Sequence, residues 1–288
     1  MLKKRIVANV VVKDGIVVQS INFKKYLPVG KPAIALEFLN NWGIDEIILT
    51  DISASKSKLA PNFDLIRQAS KKCYVPLTVG GGITNVATIK ELMHCGVDKI
   101  SINQAALHQP DLITKAAHIF GDQCIVVSID AVKTVNGYKV FNYALQKAMD
   151  TNVADFVTKV QSLGAGEILI NSVDRDGSYL GFDIELMNLV CDNATIPVIG
   201  CGGAKNAGDF IEVFNKTPVS AACAANFFHF TEHSVNTTKT NISRQADVRV
   251  ETYADYRESE FDATYRLNKK PDSILDEMLF IKIEREVI

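Results

Sequence analysis

Gly43-Ile44-Asp45-Glu46-Ile47-Ile48-Leu49 and Gly164-Ala165-Gly166-Glu167-Ile168-Leu169-Ile170 are two versions of one pattern, set 121 residues apart. The same offset carries Val75-Pro76-Leu77 onto Ile196-Pro197-Val198, Gly81-Gly82 onto Gly202-Gly203, and Asn85 onto Asn206. A constant offset over some forty residues marks an internal repeat rather than scattered glycines. Each copy opens with a turn glycine, passes an acidic residue, and runs into β-branched and aliphatic residues that are apolar on both faces. A strand of that kind is buried on both sides, as in a parallel sheet covered by helices.

Outward from the repeat, short apolar runs alternate with helix-periodic stretches. The runs are Ile6–Val12, Glu46–Leu49, Leu77–Val79, Lys99–Ile102, Ile125–Ile129, Ile168–Ile170, Pro197–Ile199 and Ser220–Ala225. Helical candidates between them include Lys31–Trp42, Val86–Cys95, Asp111–Phe120 and Val153–Leu163. Eight β-then-α units in two similar halves predict an α/β fold, a (βα)₈ TIM barrel built of two half-barrels of four units. A doubly wound open sheet would not need that symmetry. The pattern fills residues 1–250, and residues 251–288 read as an appended C-terminal segment. There Thr252–Lys270 is polar and tyrosine-bearing, and Leu279-Phe280-Ile281-Lys282-Ile283 alternates like a strand. The segment is expected to cover a barrel face or to serve a partner.

Composition narrows the class. With 288 residues and 47% hydrophobic content the chain can bury one large core. A net charge of −2 gives no basic excess for nucleic acid and no acidic tail. The six cysteines form no Cys-x-x-Cys pair and no zinc spacing with histidine, so they read as thiols in a reducing compartment, and neither metal nor cofactor is expected. The apolar N-terminal run stops at Lys13-Asp14-Gly15, too soon for a signal peptide or membrane span. A cytoplasmic protein is the expectation.

Three sets of residues carry chemistry. Val79-Gly80-Gly81-Gly82 and Gly200-Cys201-Gly202-Gly203 end the third and seventh runs. Glycine at a strand end lets backbone N–H groups reach an anion, and barrels commonly hold phosphate after strands seven and eight. Two such loops at one offset suggest a ligand with a phosphate at each end; tight turns alone are the plainer explanation. Asp51, Asn103, Asp130 and Asp176 stand at or after strand C-termini, the face where barrels place catalytic groups. Burial at the mouth would raise the pKa of Asp130, although helix capping would also explain such residues. At the opposite ends Arg5, Glu46, Lys99 and Glu167 each begin a strand. Charges there need one another, so physics alone gives a salt-bridge layer.

These residues, together with Asn22-Phe23, Asp51-Ile52-Ser53-Ala54-Ser55, Asp98, Asp174-Arg175-Asp176-Gly177 and Phe228-His229-Phe230, resemble the cyclase (HisF) subunit family of imidazole-glycerol-phosphate synthase over roughly residues 1–250. The resemblance implies a glutaminase partner (HisH) docked at the barrel bottom, with Asp98 at the interface. It implies ammonia passing a gate made of Arg5, Glu46, Lys99 and Glu167. It implies a two-phosphate substrate held at Gly81, Gly82 and Asn103 on one side and at Asp176, Gly177, Gly202, Gly203 and Asn226 on the other. Asn226 replaces the family's serine. The products implied are imidazole glycerol phosphate and AICAR, and Asp130 matches one catalytic carboxylate.

The departures fall on the catalytic face. Where the family reads Cys-Leu-Asp-Val-Lys-Asp-Gly, this chain reads Asn9-Val10-Val11-Val12-Lys13-Asp14-Gly15, and Val11 takes the place of the second catalytic aspartate. Asp14 could fill in only if the register drifted. Gln19 stands for a substrate-contacting lysine, and Asn142-Tyr143-Ala144-Leu145-Gln146-Lys147 replaces a glycine-rich loop. An intact ammonia-receiving end with an altered cyclising end resembles HisF-like paralogues of acetamidino-sugar modification, in which ammonia goes to a separate sugar amidotransferase. The alternatives are a working cyclase of histidine biosynthesis, and a different two-phosphate barrel such as the sister isomerase or a binding module.

Overall fold

The computed structural model describes residues 3–57, 59–229, 233–252 and 254–277. Its strands are β1 (Arg5–Lys13), β2 (Ile16–Ile21), β3 (Lys25–Gly30), β4 (Glu46–Asp51), β5 (Leu77–Gly80), β6 (Lys99–Ile102), β7 (Ile125–Thr134), β8 (Gly137–Asn142), β9 (Lys147–Asn152), β10 (Glu167–Ser172), β11 (Val198–Cys201) and β12 (Ala221–Ala224). The helices are α1 (Pro32–Asn41), α2 (Ile52–Ser57), α3 (Phe63–Ser70), α4 (Val86–His94), α5 (Gln104–His108), α6 (Asp111–Phe120), α7 (Val153–Ser162), α8 (Ile184–Asn193), α9 (Ala207–Lys216), α10 (Ser234–Ile242) and α11 (Asp272–Glu277).

Eight strands pair in parallel in the closed order β1-β4-β5-β6-β7-β10-β11-β12, with β12 returning to β1. This is the (βα)₈ barrel that the repeat predicts. The repeat is also visible in the helix caps. Asn85 and Asn206 start α4 and α9 in the same way, each side chain accepting a backbone N–H of the first turn.

Two hairpins were not foreseen. β2–β3 follows β1 and β8–β9 follows β7, at equivalent places in the two halves. Residues 142–147, expected as a loop, form the turn of the second hairpin, with Asn142 Oδ1 accepting the N–H of Leu145.

The strand interiors build two apolar masses. One lies between the sheet and the helices, with Leu36, Ile89, Val157, Leu186 and Phe210 fully buried. The other is a smaller plug inside the barrel, made of Val7, Ile48, Val126, Leu169, Ile199, Cys201, Ala221 and Cys223. All six cysteines are free thiols.

Helix α10 is polar in sequence yet buried, including Asn236, Thr238, Thr240 and Asn241. The residues that follow it explain this. Thr252 accepts from Asn236 (2.6 Å), the Tyr256 ring meets His233, Ser259 accepts from Arg244, and Tyr265 lies against Gly208. Lys239 is buried as well and donates to the Gly43 carbonyl (2.5 Å) and to Asp45 (2.6 Å). Residues 279–283, read as a possible strand, and Phe230 lie outside the described residues.

Candidate functional site

The bottom of the barrel carries the four charges in contact. Arg5 donates to Glu46 (2.6 Å) and to Glu167, and Lys99 donates to Glu46 (3.1 Å) and Glu167 (2.9 Å). Thr78 adds a hydroxyl to Glu46 (3.1 Å), a partner the sequence did not flag. Both carboxylates are buried. Desolvation works against the charge on Arg5 and Lys99, but the two carboxylates outweigh it and raise both pKa values. The ring lies below the interior apolar plug. Asp98 is exposed at the same end, and its carboxylate accepts the N–H of Leu77 (2.8 Å).

At the top, all eight barrel strands contribute to one cavity, lined among others by Val11, Thr50, Gly81, Asn103, Asp130, Asn171, Asp176, Gly177, Gly202, Gly203 and Asn226. Gly82 sits behind Gly81, where a Cβ would meet the Leu59 carbonyl at 2.5 Å. Gly203 has a matching constraint, the Gly181 carbonyl at 2.1 Å, and both residues have positive φ. Backbone packing therefore requires these glycines whatever they bind.

Asp130 is buried in the middle of β7, which runs on to Thr134, so it caps no helix. Asn103 donates to its Oδ2 (3.1 Å) and Asn171 to its Oδ1 (3.3 Å). Burial pushes its pKa up to about 6, with the two amides acting in the opposite direction. Asn171 was missed in the sequence, although it is the repeat's counterpart of Thr50. Asp51 does cap: its Oδ1 accepts from Ser53 (2.9 Å) and Ala54 (3.3 Å).

The register fixes the status of Val11. Val11 pairs with Thr50, and Asp130 pairs with Asn171. Because Thr50 and Asn171 are equivalent at the 121-residue offset, Val11 occupies the position in one half that Asp130 occupies in the other. Asp14 lies at the turn after β1, exposed and with φ +51°, its N–H donated to Ser53, which places it away from the cavity wall.

The residues assigned to a second phosphate hold the β2–β3 hairpin. Asn226 exchanges two hydrogen bonds with the backbone of Ser20, at 2.6 and 3.1 Å. Asp176 accepts from the Ser20 hydroxyl (2.7 Å) and from the Phe23 N–H (3.1 Å). Burial raises the Asp176 pKa against these two bonds. Gln19 is half-buried on β2, opposite Leu27. Across the mouth the Tyr26 and Tyr143 hydroxyls meet at 3.1 Å, and Phe23 packs edge-on to Tyr143 at 5.8 Å. The two hairpins thus touch over the cavity, a contact that neither sequence stretch announced. Among the described residues no cluster of metal-ligating side chains occurs, and no helix is long and apolar enough to cross a membrane.

A family model described as "Histidine biosynthesis protein" matches residues 5–234. A relative from Vibrio vulnificus (strain YJ016), provisionally named imidazole glycerol phosphate synthase subunit hisF2, is 45% identical over 263 residues, covering 91% of this chain and 97% of its own. Imidazole glycerol phosphate synthase subunit HisF of Clostridium botulinum (strain Okra / Type B1) is 41% identical over 247 residues, covering 85% of this chain and 98% of its own. The HisF subunit of Lactiplantibacillus plantarum is 38% identical over 250 residues, 86% of this chain and 99% of its own. With the barrel, the repeat and these likenesses in agreement, the chain belongs to the histidine biosynthesis protein family, as a HisF-like member of it.

Proposed function

We propose that this chain takes ammonia from a HisH-like glutaminase at the barrel bottom, conducts it past the charged ring and through the apolar interior, and delivers it for amidation of a sugar by a separate enzyme. Acetamidino modification of a surface-polysaccharide sugar is the chemistry that the altered HisF-like pattern favours. The observation that carries the proposal is the contrast at equivalent register positions. The ring of Arg5, Glu46, Lys99 and Glu167 is complete, while Val11 faces the cavity where a second carboxylate would be needed for cyclisation. Ammonia is small and neutral, so an apolar passage admits it and favours it over ammonium.

In this reading Gly81, Gly82 and Asn103, with Asp176, Gly177, Gly202, Gly203 and Asn226, form phosphate sites whose occupation signals to the glutaminase, and Asp98 contacts the glutaminase. A second reading, an active cyclase of histidine biosynthesis, is favoured by one feature. Asp130 is held by two amides with a pKa of about 6, suited to moving protons near neutral pH.

One assay separates the two. The protein is mixed with phosphoribulosyl-formimino-AICAR-phosphate and excess ammonium salt at alkaline pH, without glutaminase, and AICAR release is followed. The proposal expects no turnover by the unaltered chain. Turnover at an ordinary enzymatic rate would overturn it and establish the cyclase.

A further inference from the structure

Of the thirteen large apolar side chains exposed among the described residues, four lie on the two stretches that carry the hairpins. Ile16 and Leu27 lie on the stretch 13–30, and Val135 and Leu145 on 133–152, at 46%, 50%, 100% and 56% exposure. Apolar side chains rimmed by polar residues are a common feature of protein interaction surfaces. The two stretches match in charge as well. The first carries Lys13, Lys24 and Lys25 against Asp14, and the second carries Lys133, Lys139 and Lys147 against Asp150. Six lysines against two aspartates leave these two stretches basic on a chain whose net charge is −2, and among the described residues Lys133 alone of the six is paired to a carboxylate outside them, that of Glu185. The Tyr26–Tyr143 contact joins the hairpins into one platform directly above Asp130 and the cavity.

From this arrangement we propose that the paired hairpins are a docking platform for an acidic, apolar-patched protein, the amidating enzyme that takes ammonia from the cavity. The inference rests on the ammonia-delivery reading for the partner's identity, and on the platform's own chemistry for its location. Aliphatic side chains ringed by lysines suit a protein face of opposite charge, which they would both steer and bury. A membrane surface would call for tryptophan beside the basic residues, and the single tryptophan, Trp42, lies at the far end of α1. A partner seated here would meet both hairpins at once.

The test places a photo-crosslinking amino acid at Leu27 or at Val135 in cells that carry the native neighbouring genes. The adduct is identified by mass spectrometry and the partner is purified. An ATP-dependent amidating enzyme is expected. Its affinity should fall at least tenfold for the Leu27→Glu/Leu145→Glu double variant, and also with rising salt for the unaltered chain. Both leucines lie on the outer surface, so glutaminase binding at the opposite end serves as the control for folding. An adduct with the glutaminase or with a second copy of this chain, binding to phosphatidylserine-containing vesicles, or no adduct at all would each overturn the platform. If no glutaminase binds the unaltered chain, the ammonia reading falls separately from the platform, which then stands or falls on the adduct.

Discussion

The two ends of this barrel treat charge in opposite ways. At the bottom, Arg5, Glu46, Lys99 and Glu167 come from four different strands and each touches two others, so removing any one costs two others a partner. At the top, Asp130 is held by Asn103 and Asn171, and its symmetry-equivalent position is valine, an apolar side chain that lines the same cavity. A ring of mutual ion pairs resists piecemeal change, because breaking one buried pair is costly. A lone carboxylate with its own pair of amides places no such demand on its counterpart. The comparison explains how a HisF-like barrel could keep its lower end while the upper end drifted.

The sharpest way to break the comparison is to restore the missing group. If Val11 is all that disables a cyclase, Val11→Asp should bring AICAR release up by on the order of 10²–10⁴ fold in the ammonia-dependent assay. If the variant stays silent, the change at the top extends to Gln19 and the hairpins, and the contrast between the two ends becomes deeper.

The bottom is tested by Glu46→Ala, which takes one of the two carboxylates from both Arg5 and Lys99 and the acceptor from the Thr78 hydroxyl. Loss of a buried partner of this kind costs about 3–5 kcal/mol, read as a lower urea midpoint with an unchanged slope. A loss under about 1 kcal/mol would show that water reaches the ring and that the lower end is no more constrained than the upper.

Asp130 gives a smaller effect with a defined sign. Its pKa is about 6 in the folded chain and 3.8 in the unfolded reference, so the native state binds the proton more tightly. Stability should therefore fall as pH rises from about 4 to about 6, and the cost should persist above that range. Asp130→Asn removes the titration, so its stability relative to the unaltered chain should rise by on the order of 2 kcal/mol between pH 4 and pH 7. Chemical denaturation at the two pH values measures it. A difference that does not change with pH would mean that Asp130 is solvated like a surface carboxylate.

Much of this was legible in the sequence, for a physical reason. Strands buried on both faces read as continuous apolar runs, and gene-scale symmetry leaves a constant offset, so the barrel and the partners at its bottom could be found from one pattern. The same offset would have led from Thr50 to Asn171 and so to the second amide on Asp130. The hairpins could not be found that way. Lys25–Gly30 and Lys147–Asn152 are mostly exposed, so neither shows the alternation of a half-buried strand. They are strands because a neighbour supplies their hydrogen bonds. The polar helix α10 was hidden for a related reason: its burial comes from residues after 250, whose contacts have no periodicity to read.

The smallest expected effect concerns the contact that joins the hairpins. Tyr143→Phe keeps the edge-on packing against Phe23 and removes only the hydroxyl that meets Tyr26. One such bond contributes about 0.5–1.5 kcal/mol, so amide exchange in residues 20–27 should speed up by roughly two- to tenfold, with little change in global stability. On the other side of the same hairpin, Asn226→Ser gives up the reciprocal pair with Ser20 and should speed exchange more. If the two variants loosen the hairpin equally, it moves as one rigid lid hinged at neither edge. If only Asn226→Ser does so, the anchor is the side near Asp176, and the Tyr26–Tyr143 edge is the one that opens to the cavity.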